Sequence, residues 1–243
     1  MAVLPLGTGN DLARVTGWTA CPETVSALSA GSPAQLLALL RRVEAAPVHT
    51  HDWWRARCAH AEQQHETFFL NYCSVGFDAG VALAFDALRR RLPSLFTLRR
   101  VAKAAYGLLG ALHFILRRCC RLPSTLTLAV DGAPVPLPRA ARGIVLLNIA
   151  SFMGGVRPWP AALPPPFPED GLIEVAYHRG AVHLMLMNAG LAHAVPLAQA
   201  REVRLSSSEA VPMQADGEAW TLPAGSTVSV TRAGGVQLLH APQ

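Results

Sequence analysis

Apolar and polar positions along the chain change period several times, and each change marks an element. Ala2-Val3-Leu4 reads as the last residues of a buried strand, followed by a short helix holding Leu12, Ala13 and Arg14. Residues 24–28 and 33–44 carry helical spacing. The second of these opens on Ser32-Pro33, a cap and then a proline in the first turn, and Pro47 ends it. Residues 48–61 and 67–74 read as strands separated by a polar turn at 61–66. Two helices follow, over 78–92 with Val81, Phe85 and Leu88 on one face, and over 98–121, with Pro93 between them and Pro123 as the stop. Asp131-Gly132 predicts a hairpin between strands at 126–130 and 135–137. Residues 143–149 form a continuous apolar strand, 154–168 a proline-rich loop, 173–177 a strand and 181–191 a helix. Short strands at 202–206, 211–215, 219–222, 227–231 and 236–240 then alternate with glycine and proline turns. No internal repeat shows. The pattern predicts an α+β protein that is rich in strand, with a domain boundary near Pro47.

Composition narrows the class. The 243 residues are 51% hydrophobic and only 15% charged, which excludes a disordered chain and allows one or two packed domains. Lysine and arginine number 21 against 16 acidic residues, so anionic partners are favoured: phosphates, nucleic acid or an acidic membrane face. The longest apolar run, residues 104–116, falls short of the roughly 20 residues that a membrane span needs. Five cysteines without a Cys-x-x-Cys, and no leader-like start, predict a protein of a reducing compartment, the cytoplasm.

Four stretches carry candidate chemistry. Gly7-Thr8-Gly9-Asn10 follows a strand and precedes a helix that Asn10 or Asp11 can cap, a layout that binds phosphate and also serves as a plain turn. Asp216-Gly217-Glu218 has the form of a tight hairpin, which is also a place to present a carboxylate. Glu169-Asp170-Gly171 ends the proline-rich loop as a turn or a hard-cation site. Between Arg89 and Arg121 nine basic and no acidic residues flank the apolar run. That arrangement suits either a solvated face or an amphipathic element at an anionic lipid surface. Nucleic acid is not expected, because the aromatics are few and not interleaved with these arginines. His49, His51, His60 and His65 lack zinc-ligand spacing, and no Gly-x-Ser-x-Gly elbow is present.

Pro5-Leu6-Gly7-Thr8-Gly9-Asn10-Asp11-Leu12-Ala13-Arg14 resembles the segment closing the nucleotide-binding region of diacylglycerol kinases, the eukaryotic type above all. Residues 71–79 (NYCSVGFDA), 148–155 (NIASFMGG), 170–175 (DGLIEV), 196–199 (PLAQ) and 213–220 (MQADGEAW) resemble its accessory domain in the same order. Asp52-Trp53-Trp54 stands where family members open that domain with Asp-Arg-Trp. The resemblance implies residues 1–47 as the end of an α/β catalytic domain and 48–243 as a sandwich-like accessory domain. It implies ATP and Mg2+ as cofactors, diacylglycerol as substrate and a peripheral place at membranes. It implies Gly7, Thr8, Gly9 and Asn10 at the nucleotide, with Glu218 as the base on the lipid hydroxyl and Asp216 in support. Asp170 would hold magnesium with the carbonyls of Phe167 and Leu172, and Asp11 would reach it through water. The family's upstream Gly-Gly-Asp-Gly-Thr motif does not occur in these residues. Two expectations follow: either a kinase chain whose ATP-binding half lies upstream, or a non-catalytic module that binds lipid or a partner chain. With neighbours of Ala2-Val3-Leu4 expected upstream of Met1, that edge should associate with a partner.

Overall fold

The computed structural model describes residues 1–6, 9–21, 24, 32–60, 63–92 and 122–242. The expected helix over 98–121, the centre of the basic region, and Gly7 and Thr8 lie outside them.

Two six-stranded antiparallel sheets pack face to face. The first runs β2 (Gln63–Phe69), β1 (Val48–His60), β12 (Thr227–Leu239), β9 (Glu202–Ser207), β4 (Leu126–Val130), β5 (Ala133–Val135). The second runs β11 (Glu218–Leu222), β10 (Val211–Ala215), β3 (Tyr72–Gly76), β6 (Gly143–Leu147), β7 (Ile173–His178), β8 (Val195–Ala200). Period-two side chains from both sheets meet in one core: Trp54 and Val230 from the first, Val75, Ile144, Val175 and Met213 from the second. Strands β3, β6 and β7 are buried along their whole length. Their second face lies under α3 (Phe77–Arg91), α5 (Ala181–Asn188) and the loop after β6, through Tyr72, Leu147, Phe152, Trp159 and Met187. That double burial is why residues 143–149 read as unbroken apolar sequence.

The α+β, strand-rich, sandwich-like class holds, and several local expectations change. Residues 227–231 and 236–240 are not two strands but one, because Gly234 and Gly235 stay in the ladder instead of turning. The register slips by one residue opposite Trp53/Trp54, a bulge at which Gly234 has φ 155°. A Cβ on Gly234 would lie 2.7 Å from the Trp53 indole nitrogen, so the ring needs that glycine. Strand β8 goes unseen in the sequence reading, hidden by Pro196 in an edge strand. The polar stretch at 61–66 is mostly strand, since β2 begins at Gln63.

At the N-terminus, the segment Ala2-Val3-Leu4 finds contacts at the far end of the sequence. Ala2 makes one parallel bridge to Leu239, and the Met1 ammonium donates to the Gln237 carbonyl at 3.0 Å. Trp18 from the turn after α1 (Asp11–Val15) donates to the Leu239 carbonyl at 2.6 Å, and packs with Leu39 of α2 (Pro33–Glu44). Residues at opposite ends of the sequence thus share a small core. Helix α4 (Leu122–Thr125) leads into β4.

Candidate active site

Because the second sheet is antiparallel throughout, one of its ends collects the start of β3, the end of β6, the start of β7, the end of β10 and the start of β11. Residues 71, 148–155, 170–172 and 216–218 are therefore neighbours by topology, although they span 148 positions of sequence.

Ala215 pairs with Glu218 across a two-residue turn, with φ of 49° at Asp216 and 90° at Gly217. These angles are those of a type I′ hairpin, which favours Asp-Gly. The turn is exposed, but its aspartate reaches under it. Asp216 Oδ2 accepts from the Leu70 amide at 2.8 Å, and Oδ1 from those of Asn71 and Tyr72 at 2.9 and 3.0 Å. Desolvation raises the Asp216 pKa while the three amides pull it down. Asp216 thus fixes the hairpin to the β2–β3 corner, and Glu218, on the next strand, remains exposed to solvent.

On the other side of Asn71 the same corner meets β6. Asn148 donates to the carbonyls of Leu70 (2.6 Å) and Asp52 (2.8 Å) and accepts from the Trp54 indole at 2.8 Å, all in buried or partly buried surroundings. Three residues later the chain reaches Asp11. Its Oδ1 accepts from the Ser151 hydroxyl at 2.5 Å and the Gly155 amide at 3.0 Å, and its Oδ2 from the Gly154 amide at 2.9 Å. Met153, Gly154 and Gly155 all have positive φ, so successive N–H groups turn inward and form a nest for the carboxylate. Asp11 therefore clasps the loop after β6 directly. Asn10 sits at the cap position of α1 with φ 57°, yet its side chain does not cap. It turns back to the Pro5 carbonyl at 3.4 Å. Gly9 lies against Gly154, with a Cβ on Gly9 only 3.8 Å from the Gly154 Cα. Asp11→Ala is expected to lower unfolding stability by about 2–3 kcal/mol, the scale of charge-assisted bonds lost from a buried carboxylate, as measured by the shift in denaturant midpoint.

Asp170 is exposed at the start of β7. Its Oδ1 accepts from the Leu172 amide at 2.8 Å, and its own amide donates to the Phe167 carbonyl at 3.3 Å. Among the described residues no three His, Cys, Asp or Glu side chains are arranged to hold a metal ion. The turn offers one carboxylate and main-chain carbonyls, a hard-oxygen set that fits magnesium but not zinc.

Asp52 was unassigned by sequence reasoning. It is fully buried, accepts from the Gly171 amide at 2.8 Å and from Arg232 Nε at 2.6 Å, and its amide donates to the Pro168 carbonyl. A lone aspartate among the aromatics of a strand was the available signal. Behind it, His51 Nε2 and His240 Nε2 are 2.8 Å apart.

A serine, an aspartate and a histidine also meet elsewhere. Asp78 accepts from Ser74 Oγ, Gln214 Nε2 (2.9 Å) and His178 Nε2 (3.0 Å). This is not a nucleophile triad: the serine donates to the aspartate instead of the histidine, and all four side chains are sealed from solvent.

Two buried groups set opposite pH limits. Burial, with His240 and His49 adding and Asp52 opposing, lowers His51 from 6.5 to about 4. Its stabilisation is whole above pH 6.5 and is lost as pH falls through 4. Burial, opposed by the Gln199 side chain and aided by Asp170, raises Glu174 from 4.5 to about 7. Its contribution is whole below pH 4.5 and is lost as pH rises through 7. Each is worth at most about 3 kcal/mol. Between about pH 4.5 and 6.5 the two dependences oppose each other, so melting temperature is expected to stay nearly level there and to dip only slightly beyond pH 4 and pH 7. Glu174→Gln should remove the falling dependence and leave melting temperature rising with pH from about 4 to 6.5.

The sequence profile of the diacylglycerol kinase accessory domain matches residues 68–219, more than half of the chain. The chain belongs to the diacylglycerol kinase family. It is 33% identical to diacylglycerol kinase 2 of Arabidopsis thaliana, with 99% of this chain and 35% of that protein aligned. It is 30% identical to diacylglycerol kinase theta of Mus musculus, over 99% of this chain and 26% of that protein. The chain thus spans about a third or less of these relatives' length. A solved diacylglycerol kinase of Bacillus anthracis str. Sterne shares the fold at a TM-score of 0.50 and 13% identity, covering 99% of this chain and 66% of that one. A second structure from that organism reaches 0.54 at 16% identity, covering 100% and 68%. Residues 71, 148–155, 170–172 and 216–218, which all fall within the matched range, lie near one end of the second sheet. Ser151, Asp52 and Glu174 join them there as residues the sequence reading left without a role.

Proposed function

We propose that this chain supplies the lipid-hydroxyl side of an ATP-dependent diacylglycerol kinase, which forms phosphatidic acid. The observation that carries this reading is the Asp216-Gly217-Glu218 turn, whose aspartate is bound to the β2–β3 corner while its glutamate faces solvent at the end where Asp11 clasps the 151–155 loop. Phosphoryl transfer to an alcohol is mainly positioning and charge neutralisation, with a base within hydrogen-bond reach of the attacking hydroxyl. Glu218 takes that proton, and Asp216 holds the turn. Gly7, Thr8, Gly9 and Asn10 border the nucleotide in this reading, and Asp11 follows them directly in sequence. Magnesium would be held by Asp170 with the carbonyls of Phe167 and Leu172, and when bound would brace the loop ahead of β7. In this reading residues 1–47 belong to the catalytic domain and 48–243 to the accessory domain, and the protein works in the cytoplasm at membrane surfaces. No helix among the described residues is long and apolar enough to cross a membrane.

The absence of Gly-Gly-Asp-Gly-Thr from these 243 residues favours a second reading, a non-catalytic module that binds lipid or a partner chain. Phosphatidate formation from radiolabelled ATP separates the two. The chain is expected to show little turnover alone, and to turn over diacylglycerol when a segment bearing Gly-Gly-Asp-Gly-Thr is fused to it or added in trans. Silence in both arms, with the fusion folded, would leave the non-catalytic reading standing.

A further inference from the structure

Helix α5 carries no acidic residue, lysine or arginine, and His183 and Asn188 are its only polar side chains. Its inward stripe, Ala181, Leu184 and Met187, packs on Phe77, Val81 and the cluster around Phe152 and Trp159. A surface helix ordinarily places charged residues opposite such a stripe. Here the outward stripe is Val182, Met185 and Leu186, at 53, 69 and 41% exposure, and the following turn adds Leu191 at 75%. Four large apolar side chains therefore stand in solvent within ten residues. Nothing in the core needs them there, since the inward stripe already completes the packing. A contiguous exposed apolar patch of this kind marks an interaction surface.

The charge around the patch selects its partner. Residues 175–201 contain no aspartate or glutamate. Arg179 precedes the helix and is exposed. Arg142 lies beside its N-terminus, with its Cγ 3.4 Å from the position of a Cβ on Gly180. The Arg157 carbonyl lies 3.2 Å from His193 Nδ1 in the loop after α5, which places Arg157 at the other end. Apolar side chains projecting from a helix flanked by arginines, with no local acid, match an anionic lipid surface: the side chains enter the acyl boundary and the guanidinium groups stay at the headgroups.

The geometry points to α5 and the turn after it as a membrane-docking face, specific for bilayers containing anionic lipid. This face is separate from the basic region at 89–121 and does not depend on phosphoryl transfer.

Flotation of the full chain with phosphatidylcholine vesicles, with and without phosphatidylserine and at low and high salt, tests it. Neither ATP nor diacylglycerol is present, so a failed kinase assay does not affect the readout. The chain is expected to bind phosphatidylserine vesicles at least about 10-fold more tightly than neutral ones, and to lose that margin at high salt, since each arginine near the surface contributes about 5-fold. The double variant Met185→Glu, Leu191→Glu changes only exposed positions. It should melt as the parent does and bind at least about 10-fold more weakly. Arg179→Glu with Arg157→Glu should remove the preference for phosphatidylserine. Parent-like binding by the Met185/Leu191 variant would overturn the assignment. So would the absence of vesicle binding by the parent chain, including the case in which light scattering shows a dimer that the variant abolishes.

Discussion

Glu218→Gln is expected to lower kcat for diacylglycerol phosphorylation by about 100-fold or more, measured in a protein that also carries the Gly-Gly-Asp-Gly-Thr segment. Glutamine keeps the shape and exposure of the side chain but cannot take a proton at neutral pH. Position 218 is exposed at the start of β11, and nothing in the core rests on it, so the variant should melt with the parent. KM for the lipid should move much less than kcat, because a base acts in the transition state rather than in binding. Asp216→Asn provides the contrast. It keeps the turn but places an amide against the N–H groups of Leu70, Asn71 and Tyr72, so both stability and kcat should fall. Equal kcat for Glu218→Gln and parent would remove the base assignment, whatever the fate of Asp216.

The second large effect is one of stability. Asp78→Ala should cost about 3–5 kcal/mol, the scale for breaking a buried charged network by removing one partner. It leaves Ser74 Oγ, Gln214 Nε2 and His178 Nε2 without their shared acceptor in a site closed to water. The Gly180 amide donates to His178 Nδ1 at 3.1 Å, so the Nε2 proton is the one directed at Asp78. With the carboxylate gone, that donor has no acceptor. The network joins β3, α3, β7 and β10, and the whole second sheet should loosen together. Urea denaturation followed by tryptophan fluorescence checks the loss, and Asp78→Asn should recover only part of it.

How much of this was legible depends on whether the determinant was local. Asp131-Gly132 and Asp216-Gly217 announce their hairpins because the turn needs positive φ at those residues, and both appear where expected. The unbroken run at 143–147 announces double burial. Gly234-Gly235 misleads, because glycine marks a turn and a bulge equally well. What separates the two is Trp53, some 180 residues away, whose indole occupies the space a side chain would need. Asn10 misleads for a similar reason. It has the composition of a cap, but the neighbouring aspartate is drawn across to residues 151–155 and the asparagine turns to Pro5. The site motifs could be read as strings, but their convergence could not. Adjacency came from strand order, and although Asp52 and Ser151 fall within recognisable stretches, their partners Gly171, Arg232 and Asp11 are too distant in sequence for any local pattern to pair them.

The seam between Met1 and Leu239 has a consequence for the order of folding. Trp18 and its neighbours find packing partners in β12 and just beyond it: Ala2 on Leu239, the Trp18 indole on the Leu239 carbonyl, and Thr16 on Ala241. On the ribosome those partners emerge more than 200 residues after the segments that need them. Docking waits for the closure of a loop of that length. Until β12 arrives, Trp18 and Leu39 lack one wall of their small core, and the nascent chain carries them uncovered while the strands in between are still being made.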